Sequence, residues 1–582
     1  MMKRLITAMA CTAALCACSM KPADGEHTLH ILTTNDIHGS YFDEPYVGDK
    51  VRNSLFAVKY YADSLRDAAG ADNVLLIDAG DFLQGDNAAY YFNYVDTAGR
   101  HIYPRMAAYM GYDAICVGNH DIETGHSIYD RVDRDLAEAG IPFLAANAIR
   151  TDNGKPYFTP YATFWKAGMK TVVLGYTNAN IKAWLDESIW SGMTFESLLP
   201  KVQNDVDAII AREKPQVVIA AVHSGTGEGD GSILESQAKD LFLSLKGVDF
   251  VVCSHDHRPL TLDGDGISLI NSGSHCRYLG HGCITVDTKN GRTVSKKISS
   301  GLIKVDASKA DAGMREAFRD DFQTVRDFTL RKVGNLKMDL ATRDSYQGMC
   351  DYMNLIHTVC LKSSGADLSF AAPLTYDGSI KAGELIFNDM FTIYPFENTL
   401  YVMELSGKEI KDYLEYSYDA WIQTPGKDQP HALNIEHRGD PRTGQQKWSF
   451  INRSYNLDSA AGLCYTVDLT KACGERISIS SMASGREFSA DARYRVAMTS
   501  YRAAGGGDLL AKGAGIPEGR LSERIVSKMP EIRDLIYDFI RDHGDIDPAL
   551  ISDSSVLGAW SFVPEGTASA ALSSDFNLLF GK

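Results

Sequence analysis

Short apolar runs recur through the first half of the chain, and each ends in a cluster of polar residues. Thr28–Thr34 leads into Asn35-Asp36-Ile37-His38-Gly39, and Val74–Ile77 leads into Asp78-Ala79-Gly80-Asp81. Ala114–Val117 leads into Gly118-Asn119-His120-Asp121. Val217–Val222 ends at His223-Ser224-Gly225, and Val248–Cys253 ends at Ser254-His255-Asp256-His257. Runs of this kind predict strands, whereas Leu55–Ala69 and Leu198–Arg212 carry helical periodicity. The alternation from Glu26 to Val305 predicts an α/β domain. In open α/β sheets the ligand crevice lies outside the carboxyl ends of the strands. Strands that each deliver Asp, Asn or His at that edge therefore predict one shared polar site.

Beyond it, Asp306–Arg331 is highly charged, with apolar residues at Met314, Phe318, Phe322, Val325, Phe328 and Leu330. This pattern predicts a connecting helix. A second α/β region follows, with strand signals at Leu400–Glu404, Tyr465–Asp468 and Tyr494–Met498. Gln423–Gln446, rich in polar residues, and Arg502–Gly515, rich in glycine, read as loops. The resulting division is a signal segment at 1–18, a first domain at 26–305, a linker helix at 306–340, a second domain at 341–545 and a tail at 546–582.

The length of 582 residues exceeds what one core supports and requires two domains or more. A formal net charge of −17 argues against broad affinity for polynucleotides or anionic membranes. It leaves room for a small phosphorylated substrate, because bound cations can dominate the charge of a local site. Lys3 and Arg4 precede an apolar, small-residue stretch from Leu5 to Ala17 that is too short to span a bilayer and reads as a secretion signal. No later segment approaches the roughly 18 apolar residues of a membrane helix. After Cys18, the cysteines Cys116, Cys253, Cys276, Cys283, Cys350, Cys360, Cys464 and Cys473 match neither a zinc ribbon nor a dense disulfide framework.

Asp36-x-His38 places two ligands on alternate residues beyond a strand, so both can point to one side. Asp81 offers two carboxylate oxygens and could bridge two ions, Asn119 offers a neutral carbonyl oxygen, and His223, His255 and His257 offer imidazoles. Such a set suits two ions about 3.5–4 Å apart. The mixture of nitrogen and oxygen donors fits Zn, Mn or Fe better than Ca or an all-oxygen Mg site. A single histidine after a strand is ordinarily a structural hydrogen-bonder, and Asp81 alone could close a turn. The convergence of separate strand ends is what points to a two-metal hydrolase.

These motifs resemble the calcineurin-like metallophosphoesterase superfamily. More narrowly, they resemble the 5′-nucleotidase family with its 2′,3′-cyclic-nucleotide phosphodiesterase branch. Gly80-Asp81-x-x-x-Gly85 and Asn35-Asp36-Ile37-His38-Gly39 are characteristic forms, and the resemblance covers nearly all of the chain after the signal. It implies a two-domain α/β protein: an N-terminal metallophosphoesterase β-sandwich flanked by helices, then a 5′-nucleotidase-type C-terminal domain. It also implies that Asp36, His38, Asp81 and His257 hold one ion and Asp81, Asn119, His223 and His255 the other. His120 would face the phosphoryl group, where a protonated imidazole stabilises developing charge or assists the leaving oxygen. A carboxylate three residues on would orient it; the family commonly has Asp or Asn there, and this chain has Glu123. Ser254 stands where the family usually has glycine. Leu15-Cys16-Ala17-Cys18 resembles the bacterial lipobox, which implies lipidation of Cys18 and anchoring in the cell envelope, at the periplasm or the cell surface. An ordinary signal peptide cut nearby is the alternative.

In the second domain, Tyr455-Asn456-Leu457-Asp458, Gly462-x-x-Tyr465-x-Val467-Asp468-Leu469 and Tyr501-Arg502-Ala503-Ala504-Gly505-Gly506-Gly507 resemble the cyclic-nucleotide branch. That family sandwiches the nucleobase between two aromatic rings, to which Tyr455 and Tyr501 correspond. Asn456, Gly506, Gly507 and Asp508 flank them as candidate substrate-binding residues; the plainer reading makes the tyrosines core residues. The Gly-Gly-x-Arg segment of true 5′-nucleotidases has no counterpart in Ala371-Ala372-Pro373-Leu374. Arg453 and Arg502 are the nearby positive charges. The expected protein is a lipid-anchored nucleotide phosphohydrolase with two divalent ions, a small-molecule nucleotide substrate and no nucleic-acid partner. A sugar-nucleotide or sulfur-ester hydrolase, or a non-catalytic nucleotide-binding lipoprotein, is the rival reading.

Overall fold

The computed structural model describes residues 21–426, 430–439 and 446–581, so Cys18 and the expected signal segment lie outside the described residues. The chain forms two compact units. One comprises the described residues up to Lys182 together with Glu187–Val325, and the other comprises Ala183–Asp186 together with the described residues from Arg326 onward. Among the described residues no helix is long and apolar enough to cross a membrane.

In the first unit two six-stranded sheets pack face to face. One runs in the order Arg292–Lys304, Tyr278–Lys289, Gly25–Thr34, Val74–Asp78, Ala114–Cys116, Phe143–Leu144. The other runs Leu260–Asp263, Ser268–Asn271, Phe250–Cys253, Val217–Val222, Met169–Tyr176, Tyr161–Lys166. Leu29, Ile31, Leu75 and Ile77 from the first sheet meet Val173, Ile219, Phe250 and Val252 from the second in one buried cluster. The outer face of the second sheet is covered by the helix Leu198–Glu213 through Leu198, Val202, Val206 and Ile209. The helix Leu55–Ala69 starts where Ser54 accepts a hydrogen bond from the Phe56 N–H and stops at Gly70. Gly25–Thr34, Val74–Asp78 and Ala114–Cys116 are mutually parallel, as are Val217–Val222 and Phe250–Cys253. Their carboxyl ends release the polar clusters.

The second unit centres on a five-stranded sheet ordered Ser459–Ala461, Leu368–Ala371, Arg493–Thr499, Thr399–Ser406, Ile525–Glu531. The helix Gly407–Trp421 packs on its core through Ile410, Tyr413, Leu414 and Tyr418. Three expectations need correction. The linker helix at 306–340 is two helices, Ala312–Ala317 and Arg319–Thr329, followed by the strand Lys332–Leu336, which pairs with Gly383–Ile386. Gln423–Gln446 is not loop throughout, because Ile435–Gly439 and Gln446–Phe450 pair as antiparallel strands. The tail at 546–582 is an integral part of the unit, and the proposed boundary falls inside the strand Asp545–Ile546. Gly558–Val563 lies parallel to Leu463–Asp468, with Trp560 and Phe562 in the core and Ala559 and Ser561 facing out. The helix Glu565–Phe580 is fastened by the fully buried Asp575, whose Oδ2 accepts the N–H groups of Ala432 (2.7 Å) and Leu433 (2.8 Å).

Candidate metal centre

The strand-end residues of the first unit converge into two groups. Asp36, His38 and His257 offer ligand atoms that all lie within 4.8 Å of one another, and so do Asp81, His223 and His255. In the first group His38 Nε2 is 2.9 Å from His257 Nε2, and Asp36 Oδ1 lies 3.9 Å and 3.6 Å from those nitrogens. In the second, His223 Nε2 is 3.0 Å from Asp81 Oδ2. Asn119 joins it, with Oδ1 2.9 Å from His255 Nδ1. Asp36 ties the groups together by accepting the His255 N–H on Oδ2 at 2.9 Å.

The donor set fits divalent cations. His223 Nδ1 donates to Ala79 O at 2.8 Å, which turns Nε2 inward towards Asp81. That atom is buried and has no aligned hydrogen-bond partner, despite the nearby Asp81 oxygen. His38 Nδ1 is turned to the carbonyl oxygen of Gln84 (3.2 Å) and its side-chain Oε1 (3.1 Å), which leaves Nε2 for His257 and Asp36. Partners of this kind on the far nitrogen fix tautomer and ring orientation in metal-ligating histidines. Burial lowers His38 well below its ordinary value, His255 to about 3 and His257 to about 4, so these rings are neutral at pH 7, the form in which an imidazole can bind a cation. Burial also lowers His223, but Asp81 and Asp36 outweigh it and lift the ring to about 9. For Asp81, desolvation opposes ionisation, yet His223, His120 and His38 hold its carboxyl far below the carboxylate range.

The backbone is strained here. Asp36 (φ 47°), His38 (46°), Asp81 (64°), His255 (74°) and His257 (58°) all take left-handed conformations. Such residues cost of order 1–3 kcal/mol each and persist where their surroundings over-determine them. Asp36 N–H donates to Gly80 O at 2.9 Å, and His38 N–H to Asp81 O at 3.1 Å. Asp121, fully buried, supplies the rest. Its Oδ2 accepts the N–H groups of Asp81 (2.9 Å) and Gly118 (2.8 Å), and its Oδ1 those of Phe82 and Leu83 (both 3.0 Å). Gly118 is required by proximity, since a Cβ there would sit 2.1 Å from Asp81 Oδ1.

His120 borders this centre. Its N–H donates to Asp81 Oδ1 at 2.8 Å, and its Nδ1 meets Glu123 Oε2 at 2.5 Å. Glu123 thus reaches the imidazole despite its extra methylene. It closes the short helix Asn119–Glu123, an end where the helix dipole disfavours negative charge.

In the second unit Tyr455 and Tyr501 are half-buried and lie outside the hydrophobic core cluster. Tyr455 sits on the turn Ser454–Asn456, edge-on to Phe396 at 6.2 Å between centroids. Tyr501 begins the glycine-rich turns, and its ring lies against Gly506, where a Cβ would come within 2.4 Å of it. Arg502 joins the two segments, donating to Asn456 Oδ1 (3.0 Å) and Gly506 O (2.9 Å). Gly507 (φ 75°) and Asp508 (φ 64°) complete the turn, with the Asp508 carboxylate 2.8 Å from Lys512.

Residues 29–259 match the calcineurin-like phosphoesterase family, and residues 332–512 match the 5′-nucleotidase C-terminal domain. The chain belongs to the family that joins these two domains. Membership makes it a metal-dependent phosphoric ester hydrolase. It is 24% identical over 600 residues to the trifunctional nucleotide phosphoesterase protein YfkN of Bacillus subtilis, covering 92% of this chain and 39% of that protein. A 5′-nucleotidase of Vibrio parahaemolyticus is 25% identical, over 71% of this chain and 80% of its own. A 2′,3′-cyclic-nucleotide 2′-phosphodiesterase/3′-nucleotidase of Yersinia enterocolitica is 22% identical, over 82% and 81%. The fold is that of a Staphylococcus aureus protein assigned as a 5′-nucleotidase and solved with alpha-ketoglutarate, with TM-score 0.74, 19% identity and coverage of 92% of this chain and 99% of that one.

Within this phosphoesterase domain, some contributors were not selected from the sequence. Asp121 is the principal one; its only signal was a buried-type motif ending in an acid that no ligand role required. Gln84 orients His38 from a loop with no periodicity. Ser254 does more than replace a glycine: its hydroxyl lies 3.1 Å from Ala79 O and 3.0 Å from His223 Nδ1, beneath that ring. Arg502, considered as a charge for substrate, is instead buried against Asp458.

Proposed function

We propose that this chain hydrolyses nucleotides outside the cytoplasm, releasing phosphate from 2′,3′-cyclic and 3′-nucleotides or from 5′-nucleotides, with two divalent ions of the Zn, Mn or Fe type. The observation that carries this reading is the pair of ligand groups linked through Asp36, beside an imidazole held by a carboxylate. When bound, the ions lower the pKa of water and offset charge on the phosphoryl oxygens. Asp36, His38, Asp81 and His257 would hold one ion, and Asp81, Asn119, His223 and His255 the other. His120, with Nδ1 on Glu123, counters charge at phosphorus or passes a proton to the leaving ribose oxygen. Tyr455 and Tyr501 stack on the base, a contact that needs no base selectivity because every base has a π-face. Asn456, Gly506, Gly507 and Asp508 frame it.

The missing arginine at Ala371–Leu374 favours cyclic and 3′-nucleotides over 5′-nucleotides. Lipidation at Cys18 would hold the enzyme in the cell envelope. Inorganic phosphate release across a panel of 5′-, 3′- and 2′,3′-cyclic nucleotides, with and without chelator, tests the reading. Release that chelator abolishes and Mn²⁺ or Zn²⁺ restores is expected. A metal-replete protein that releases phosphate from no nucleotide, or does so regardless of chelator, would overturn it.

A further inference from the structure

Arg502 is 3% exposed, and all five of its side-chain N–H groups are engaged. Nε donates to Asp458 Oδ2 (3.0 Å) and Nη2 to Asp458 Oδ1 (2.9 Å), a bidentate pair. Nη2 also donates to Tyr455 O, and Nη1 donates to Asn456 Oδ1 (3.0 Å) and Gly506 O (2.9 Å). Asp458, 1% exposed, is held in turn by the Tyr413 hydroxyl, and its backbone oxygen accepts from Ser417 Oγ at 2.8 Å. The charge of Arg502 is therefore matched within the fold, and no donor remains for a phosphate. Gly507 makes the arrangement feasible, since a Cβ there would meet Nη1 at 2.6 Å and Asn456 Oδ1 at 2.7 Å.

We propose that Arg502 is a positioning residue that presets the turns bearing Tyr455 and Tyr501, so that a nucleobase meets a clamp already formed; this rests on the assignment of those tyrosines to base binding. The two turns lie far apart in sequence, and each is a single short helical turn. Left unlinked, they would have to be ordered at the moment of binding, which weakens affinity. The planar fork of arginine can bond both turns and the carboxylate together, which the point charge of lysine cannot.

The test uses the full metal-replete chain with two variants. Arg502→Lys keeps the charge and loses the fork. Arg502→Met with Asp458→Asn removes both charges together, because a lone buried Asp458 could prevent folding. Adenosine binding by calorimetry should weaken about 5- to 50-fold in both, the range expected when base stacking is impaired. KM for the best nucleotide should rise in parallel, with a much smaller loss in p-nitrophenyl phosphate hydrolysis. Unchanged adenosine affinity in either folded variant would overturn the proposal, as would equal losses on both substrates. Tyr455→Ala and Tyr501→Ala are measured alongside. If they weaken adenosine while the Arg502 variants do not, positioning fails alone; if they leave adenosine unaffected, the base clamp fails and this inference with it.

Discussion

Asp121→Asn isolates a residue that touches neither metal ligand side chains nor substrate, yet should govern both. The carboxylate accepts four backbone N–H groups, and three of them, from Asp81, Phe82 and Leu83, belong to the turn that aims Asp81. An asparagine carbonyl can keep one pair, and its NH₂ then faces the other pair donor to donor. In either orientation the Asp81 turn loses at least one bond. A buried donor left unsatisfied costs about 1–3 kcal/mol, so two cost roughly 2–6 kcal/mol. One effect opposes this. Burial and the nearby Asp81 raise the Asp121 pKa to about 6, and neutral asparagine escapes that cost. Net destabilisation should therefore sit near the lower end, about 2 kcal/mol. Activity should fall further than stability suggests, by about 10- to 100-fold, as for other partners that orient metal ligands. Phosphate release, metal content and thermal unfolding of purified Asp121→Asn decide the matter. A folded variant with wild-type turnover and metal content would refute the reasoning.

Asp81→Asn and His255→Ala should abolish phosphate release with the fold retained, and near-normal turnover at verified metal occupancy in either would remove the two-ion assignment. His120→Ala should keep its metals and lose roughly 10²–10⁴-fold in kcat; Glu123→Gln should lose less and alter the pH profile, and an unchanged rate and profile would end the orienting role. In the second unit, burial holds His357 at about 4, and Ser369 Oγ lies 3.0 Å from its Nδ1. Its folded pKa lies below the unfolded value of about 6.5, so the unfolded chain binds a proton that the fold refuses. Stability should thus be lost as pH falls from about 6.5 to 4, by about 2 kcal/mol at pH 5. Denaturant melts at pH 7 and pH 5 should show that slope in the wild type and a flatter one in His357→Gln, and equal slopes would rule out this origin.

The strands that carry the metal centre were legible because they are apolar on both faces: Val74–Asp78, Val217–Val222 and Phe250–Cys253 are buried throughout. Leu55–Ala69 was legible to the residue because Ser54 and Gly70 mark its ends locally. Other elements exist only through distant partners. Gly558–Val563 is stabilised by pairing with Leu463–Asp468 nearly a hundred residues earlier, and its short alternation carries little weight alone. Ile435–Gly439 and Gln446–Phe450 are mostly polar, and only Ile435 and Phe450 at one end are buried, so no continuous apolar alternation announces the hairpin. The ligand types were readable as chemistry. The roles of Asp121 and Arg502 were not, because each depends on which backbone groups a folded turn happens to present.

Backbone strain gives a separate route to function in both units. Among the described residues, eleven other than glycine have a left-handed φ, and five of these are candidate ligands. Within the second unit Asp508 is the one such residue described. Aspartate tolerates this conformation better than most residues, but glycine adopts it freely. The side chain at this position must therefore offset some strain, and in the fold it contacts Lys512 at 2.8 Å in a solvent-exposed pair. Exposed pairs contribute about 0–1 kcal/mol, against strain of order 1–3 kcal/mol. Stability does not account for a carboxylate here, which fits the place proposed for Asp508 beside the base. The same comparison applies to Asp36 and Asp81, which lie buried in left-handed backbone that glycine would adopt at less cost, and the proposed cations give their carboxylates a role that stability does not.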